Sequence, residues 1–259
     1  MKNFILQTQP AEGGIIRLYE KDYHYLVRVR RLRSGMSFNA ILPGGKEAKV
    51  LILSTKDNIL IGQCIDEEKA RPGSLLPEIA LFQGLPRGAK MDLIVRQSAE
   101  AAVSVIAPFK AEYSQRAPVK ESGEKIKRWE RIIKEARQQS GSVTETIVMP
   151  PCDFDALLEY WGSLREKYSR TLGLVLHQEP LEKGTLHGYL RNDPDFVVLA
   201  VGPEGGFSPL ELTQFIKKGF RPLLMGNTIL RTETAALYGI AAIRTILLES
   251  EAWTPGPTE

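Results

Sequence analysis

The sequence predicts an α/β protein: a small β-rich first part, then a larger part built on a mostly parallel sheet. Three observations carry this. Short apolar runs separated by turn signals fill residues 1–71. The stretch "EEKARPGSLLP", residues 67–77, is charged and then Pro/Gly-bearing, as a linker is. Beyond it, apolar strand-like runs alternate with amphipathic stretches of helical length. The expected division is therefore 1–71 and 72–259.

In the first part the runs "GIIRLY", "MSFNAILPG", "KEAKVLILS" and "NILIGQCI" read as strands of a small β-barrel, with turns at "PGGK" and "TKDN". One short helix, about Asp22–Leu32, interrupts them. In the second part "PEIALFQGL", "VSVIAPF", "TETIVM", "RTLGLVLH", "FVVLAV" and "RPLLMG" read as strands. "KMDLIVRQSAEAA" reads as a helix. "EKIKRWERIIKEARQQS" is a basic amphipathic helix, with Ile126, Trp129 and Ile133 spaced for one face. "DFDALLEYWGSLREKY" is a helix capped at Asp153. Strands this uniformly apolar argue a sheet covered on both faces.

Composition narrows the function. Apolar residues make 43% and charged residues 25% of the 259, which is ordinary for a globular chain. No apolar run reaches the length of a membrane span. The N-terminal apolar segment is too short for a secretory signal, so a cytoplasmic protein without membrane association is expected. Cys64 and Cys152 stand far apart, and His24, His177 and His187 show no paired ligand spacing. Neither a disulfide framework nor a metal site is expected.

Charge is unevenly placed. Residues 1–75 hold twelve Lys and Arg against eight Asp and Glu, and the rest hold 22 against 23. "RLYEKDYHYLVRVRRLRSG" carries Arg17, Lys21, Arg28, Arg30, Arg31 and Arg33, with Tyr23 and Tyr25 among them. This is either a nucleic-acid face, for which arginine forks and stackable rings suit, or a solvated helix face.

In open parallel sheets ligands sit at the carboxyl ends of strands. Three segments follow the last core strands: "HQEP" (177–180), "GPEGGFSPLE" (202–211) and "GNTILRTETAAL" (226–237). The glycine loop is not a phosphate loop, since it lacks the lysine and hydroxyl and carries Glu204. Its glycines also miss the dinucleotide spacing. It leads into a well-specified helix: Ser208 at N-cap, Pro209 at N1 and Glu211 at N3 form a capping box. Lys217 and Lys218 fall in the last turn, with Gly219 beyond. The loop is either a structural turn or a place where backbone approaches a flat ligand closely. In the third segment Thr232 or Thr234 can cap a helix made slim by Ala235, Ala236, Ala241 and Ala242. Arg231 and Glu233 at its mouth form either a local ion pair or part of a site.

"VGPEGGFSPLEL" followed by "LLMGNTILRTETAAL" resembles the bacterial 16S ribosomal RNA uracil-N3-methyltransferases, the RsmE type of the SPOUT class. "DYHYLVRVRRLRSGM" and "RWERIIKEARQQSGS" extend the resemblance over nearly the whole chain. Four places depart from the family. "QSAEAA" keeps only Glu100 of a Lys-Ala-Thr-Glu-Leu-Gly run, Ser142 stands at an arginine's place, and Tyr25 and Arg30 replace a His and a Leu. All bear on substrate choice more than on cofactor binding.

The resemblance implies a PUA-like N-terminal barrel for RNA. It implies a C-terminal SPOUT domain with a trefoil knot that binds S-adenosylmethionine, without metal, usually in a homodimer. The implied activity is methylation of N3 of a specific uridine in 16S ribosomal RNA or the small ribosomal subunit. Another rRNA or tRNA target, or a non-catalytic RNA-binding assembly factor, are the alternatives.

The implied cofactor wall is Leu176 and His177; then Val201, Gly202, Pro203, Glu204, Gly205 and Gly206; then Met225, Gly226, Ile229, Leu230 and Thr234. Arg231 is expected to hold RNA phosphate or to stabilise the uracil oxyanion. Glu204 and Glu233 are both candidates for the proton acceptor or for contact with the sulfonium. RNA contacts are expected from Arg17, Arg28, Arg31 and Arg33, extended by Lys127, Arg128 and Arg131.

Overall fold

A computed structural model describes residues 3–67, 76–114 and 123–252. Most of the expected linker at 67–77 lies outside them. The chain divides into two compact units, Met1–Leu75 with Arg137–Glu145, and Leu76–Ala136 with Thr146–Glu259.

The first unit holds a mixed five-stranded sheet. Its strands are β1 (Phe4–Ile5), β2 (Ile15–Leu18), β3 (Ser37–Ile41), β4 (Glu47–Ser54) and β5 (Leu60–Glu67), in the order β1-β3-β4-β5-β2. β1 runs parallel to β3 and every other pair is antiparallel. Alternation in β4 buries Ala48, Val50 and Ile52 on one face, where they meet Phe4, Phe38 and Leu60. The expected helix begins earlier and is tighter in extent: α1 (Glu20–Tyr23) runs into a π-helical turn, His24–Val29. Arg30 N–H closes that turn on Tyr25 O at 2.9 Å, and Arg31 then leaves it at φ 57°. The wide turn carries Leu26 into the core, fully buried.

In the second unit β6 (Glu78–Gly84), α2 (Lys90–Glu100) and β7 (Val105–Phe109) come first. Next are α3 (Gly123–Ser140), whose last turn groups with the first unit, β8 (Ile147–Val148), α4 (Phe154–Lys167) and β9 (Thr171–Leu176). The chain continues through α5 (Leu186–Leu190), β10 (Phe196–Val201), α6 (Pro209–Lys217), β11 (Phe220–Leu223) and α7 (Thr232–Ala252). The sheet order is β11-β9-β10-β6-β7-β8, and each neighbouring pair is parallel. β10 is thus inserted between β6 and β9.

Each central strand feeds two cores by its alternation. Val197, Leu199 and Val201 of β10 join Ile79 and Leu81 under residues of α2, α3 and α7. Phe196, Val198 and Ala200 join Ala80 and Phe82 under Trp161 of α4 and Phe215 of α6. The parallel sheet covered on both faces is as the apolar strands imply.

Boundaries differ from expectation where the chain chemistry intervenes. "TETIVM" yields only Ile147–Val148, ahead of Pro150 and Pro151, which have no N–H to extend a ladder. β11 starts at Phe220 and tolerates Pro222 because it is an edge strand. α7 packs tightly on the sheet at Gly239, where a Cβ would stand 2.7 Å from Leu199 Cδ2, while Ala241 is exposed.

Trp161 is 2% exposed, lies 4.7 Å from the Phe220 ring, and donates its indole N–H to Lys218 O at 3.0 Å. Trp161→Ala is expected to lose about 3–5 kcal/mol in urea denaturation.

Candidate functional site

The loops after β9, β10 and β11 meet at the carboxyl end of the second unit's sheet, around a cavity of about 410 Å³. Several contacts from other elements fix the glycine loop after β10. Gly84 ends β6 directly beside it: a Cβ there would lie 2.6 Å from Pro203 Cδ. Ser208 Oγ accepts the Glu211 N–H at 3.3 Å, and Glu211 Oε2 accepts the Ser208 N–H at 2.9 Å, completing the expected capping box with Pro209 at its start. Glu211 Oε1 takes the Glu112 N–H at 2.8 Å, tying the box to the segment after β7.

A second tie joins the glycine loop to α7. Thr232 Oγ1 donates to Gly202 O at 2.6 Å and accepts from Gln83 Nε2 at 3.0 Å. The same Gln83 nitrogen donates to Gly84 O at 2.9 Å, and Gln83 is fully buried at the end of β6. Of the two capping candidates, Thr232 is the first residue of α7 and its hydroxyl is spent on the loop and Gln83, while Thr234 lies inside the helix and is exposed. Gly226, at φ 131° with no atom within 4 Å of a built Cβ, turns the third segment in a conformation that L side chains rarely adopt.

The cavity wall contains Leu176 and His177. It contains Val201, Gly202, Pro203, Glu204, Gly205 and Gly206, and also Met225, Gly226, Ile229, Leu230 and Arg231. Thr234 and Glu233 do not line it. Thr234 is exposed, whereas the Glu233 side chain is 14% exposed. The His177 ring is turned to its own loop, with Nδ1 accepting the Glu179 N–H at 3.1 Å. Arg231 is exposed on the wall, and its guanidinium has no hydrogen-bond partner among the described residues. Among the described residues no cluster of three His, Cys, Asp or Glu could hold a metal. No described helix is long and apolar enough to cross a membrane.

Two residues of the site are not apparent from the sequence. Lys90 lines the cavity, with Nζ 2.8 Å from Glu204 Oε1 and 3.6 Å from Glu233 Oε2. Burial pushes the Glu204 carboxyl up, but hydrogen bonds from Lys90 and from backbone N–H groups outweigh it and hold it below its ordinary value. The hydrogen bond to Glu204 in turn raises Lys90 above the usual lysine value, against partial desolvation. Gln83 is the other. Both owe their place to β6, which pairs directly with β10, so the segment beyond its end also reaches the site. The signal that points to them is the strand-end position, extended from the last three core strands to β6.

The basic residues expected to contact RNA are all at the surface. Arg17, Arg28, Arg31 and Arg33 are exposed in the first unit, and Lys127, Arg128 and Arg131 are exposed on α3 in the second. Arg128 pairs with Asp92, which also accepts the Trp129 indole N–H at 3.1 Å.

Residues 74–244 match the family model described as RNA methyltransferase domain, and the chain belongs to that family. Within it the chain belongs with the small-subunit ribosomal RNA methyltransferases E. It is 32% identical to the Synechocystis ribosomal RNA small subunit methyltransferase E over 90% of this chain and 73% of that protein. The Bacillus subtilis protein of the same name is 27% identical over 92% of this chain and 93% of its own. The crystal structure of the Neisseria gonorrhoeae protein of that name, bound to S-adenosyl methionine, superposes with a TM-score of 0.79 at 26% identity, covering 95% and 98% of the two chains.

Thr232→Val leaves Gly202 O without its Thr232 donor and Gln83 Nε2 with one of its two acceptors, Gly84 O. It is expected to destabilise the unit by about 1–3 kcal/mol, read in chemical denaturation.

Proposed function

We propose that the chain transfers the methyl group of S-adenosylmethionine to N3 of a specific uridine in 16S ribosomal RNA, as free RNA or in the small subunit. The observation that carries this reading is the cavity itself. Most of its wall comes from the two motifs whose pairing carries the family resemblance, joined by the Thr232 hydroxyl.

The residues present suit the cofactor. A cavity of about 410 Å³ is of small-molecule size. Leu176, Met225, Ile229 and Leu230 supply apolar surface for a ring, and the glycine loop supplies backbone groups. The Glu204 carboxylate, held as an anion, suits a cationic ligand. When bound, the cofactor supplies a methyl already activated by its sulfonium.

This chain's residues then supply position and charge. Positioning of cofactor and base contributes up to ~7–11 kcal/mol in favourable cases. Arg231, exposed on the cavity wall, is suited to an RNA phosphate or to the anion that develops on a uracil oxygen as N3 loses its proton. An unstacked uridine is required, because a paired base hides its N3. The first unit, read as a PUA-like barrel, would grip the RNA through Arg17, Arg28, Arg31 and Arg33. Lys127, Arg128 and Arg131 would extend that contact.

The same reading includes a trefoil knot in the second unit, a cytoplasmic location and a homodimer. A groove of about 680 Å³ along α7, lined by Leu181, Tyr238, Ala241 and Ile246, supports the dimer, with Tyr238 52% exposed.

Small-subunit RNA incubated with the protein and S-adenosylmethionine, then digested, is expected to yield 3-methyluridine by mass spectrometry. Absence of that nucleoside alongside another methylated one would reassign the target. Arg231→Ala is expected to cut methyl transfer about a hundredfold while calorimetric cofactor affinity changes little. Equal losses in both would move Arg231 into cofactor binding.

A further inference from the structure

Lys90 opens α2, the helix end where a cation opposes the macrodipole, and no side chain caps that end. Its ammonium is spent on carboxylates from two other elements. Nζ lies 2.8 Å from Glu204 Oε1 of the glycine loop and 3.6 Å from Glu233 Oε2 in the first turn of α7. Both Glu204 oxygens also face the Arg87 N–H, at 3.1 and 3.3 Å. Glu233 Oε2 is buried without a hydrogen-bond partner among the described residues, so the Lys90 charge compensates it there. The other titratable groups on the cavity wall are His177 and Arg231.

We propose that Lys90 is a positioning residue: its ammonium clamps the glycine loop to the start of α7 and fixes Glu204 as an anion on the cavity wall. The role in methyl transfer rests on the function proposed above; the clamp itself does not. In this role Glu204 is not the acceptor of the uracil N3 proton. To take that proton it would have to surrender the ion pair and the N–H contacts that stabilise its charge, which makes it a weak base. It acts as a fixed charge opposite a cationic ligand.

Wild type, Lys90→Met, Lys90→Arg and Glu204→Gln separate the possibilities. The Gly206 N–H is bonded to Pro203 O at 2.9 Å, so its amide exchange reports the loop. In the cofactor-free protein that exchange is expected to speed up about tenfold in Lys90→Met and to stay near wild type in Lys90→Arg. Glu204→Gln removes the same pair from the other side and is expected to match Lys90→Met, which covers a Met variant that folds poorly.

Calorimetric titration with S-adenosylmethionine from about pH 3.5 to 8, which spans the carboxylate range, supplies the second reading. In wild type the carboxyl sits below its ordinary range, so binding falls off only at low pH. Without the ammonium, burial acts on Glu204 with less opposition, and the acid limb moves to higher pH. Lys90→Arg is expected to keep the wild-type limb. Unchanged exchange in Lys90→Met overturns the clamp, and so does a Lys90→Arg variant that behaves like Lys90→Met. If the exchange results hold while wild type binds no S-adenosylmethionine, the clamp stands and the methyl-transfer reading falls.

Discussion

All six residues of β10 are buried, and the strand pairs in parallel with β6 on one side and β9 on the other. A strand in that position has no free backbone edge and no solvated face, so its sequence is restricted to apolar residues, and "FVVLAV" meets that demand. The constraint reaches the site directly. β10 ends at Val201, and the glycine loop begins at the next residue, among the ends of β6 and β9. Because the strand cannot shift without disturbing two cores, the loop starts from a fixed point. Loops alone are poor holders of geometry; this one inherits its precision from the sheet beneath it.

What could be read in the sequence was local or periodic. The Ser208–Glu211 box was legible because a cap needs only four consecutive residues, and Asp153 capped α4 for the same reason. The apolar strands of the second unit were legible from their runs. β1 was not, because two residues carry no periodicity. The π-helical turn was not, since its Arg30–Tyr25 closure leaves the same apolar spacing as an ordinary turn would. Both parts of the site that escaped notice are long-range. Gln83 and Thr232 stand 149 residues apart, and only the pairing of β6 with β10 brings them together. Lys90 reads as one more charged residue at a helix start until the fold supplies Glu204 and Glu233.

Charge and backbone divide the work around the cavity. Thr232, Gln83 and Gly84 hold the loop by neutral hydrogen bonds in a buried place, where an unmatched group would cost most. Lys90, Glu204 and Glu233 act nearer to solvent, where attraction is screened but still sets which groups carry charge. The inner set defines position and the outer set defines potential. Arg231 stands apart from both, with no hydrogen-bond partner among the described residues, and is available to whatever arrives.

The Glu211 carboxylate has a consequence for which residues its position can accept. Its two oxygens receive two different backbone N–H groups, Ser208 and Glu112, from two different segments. Glutamine has the same shape but one acceptor, and its NH₂ would turn a donor toward a donor. The most conservative-looking replacement would therefore orphan the backbone N–H of Ser208 or of Glu112, beside a Glu211 position only 5% exposed. Shape alone does not fill this position: the chain there is read as a lock with two identical wards, and only a symmetric key fits both.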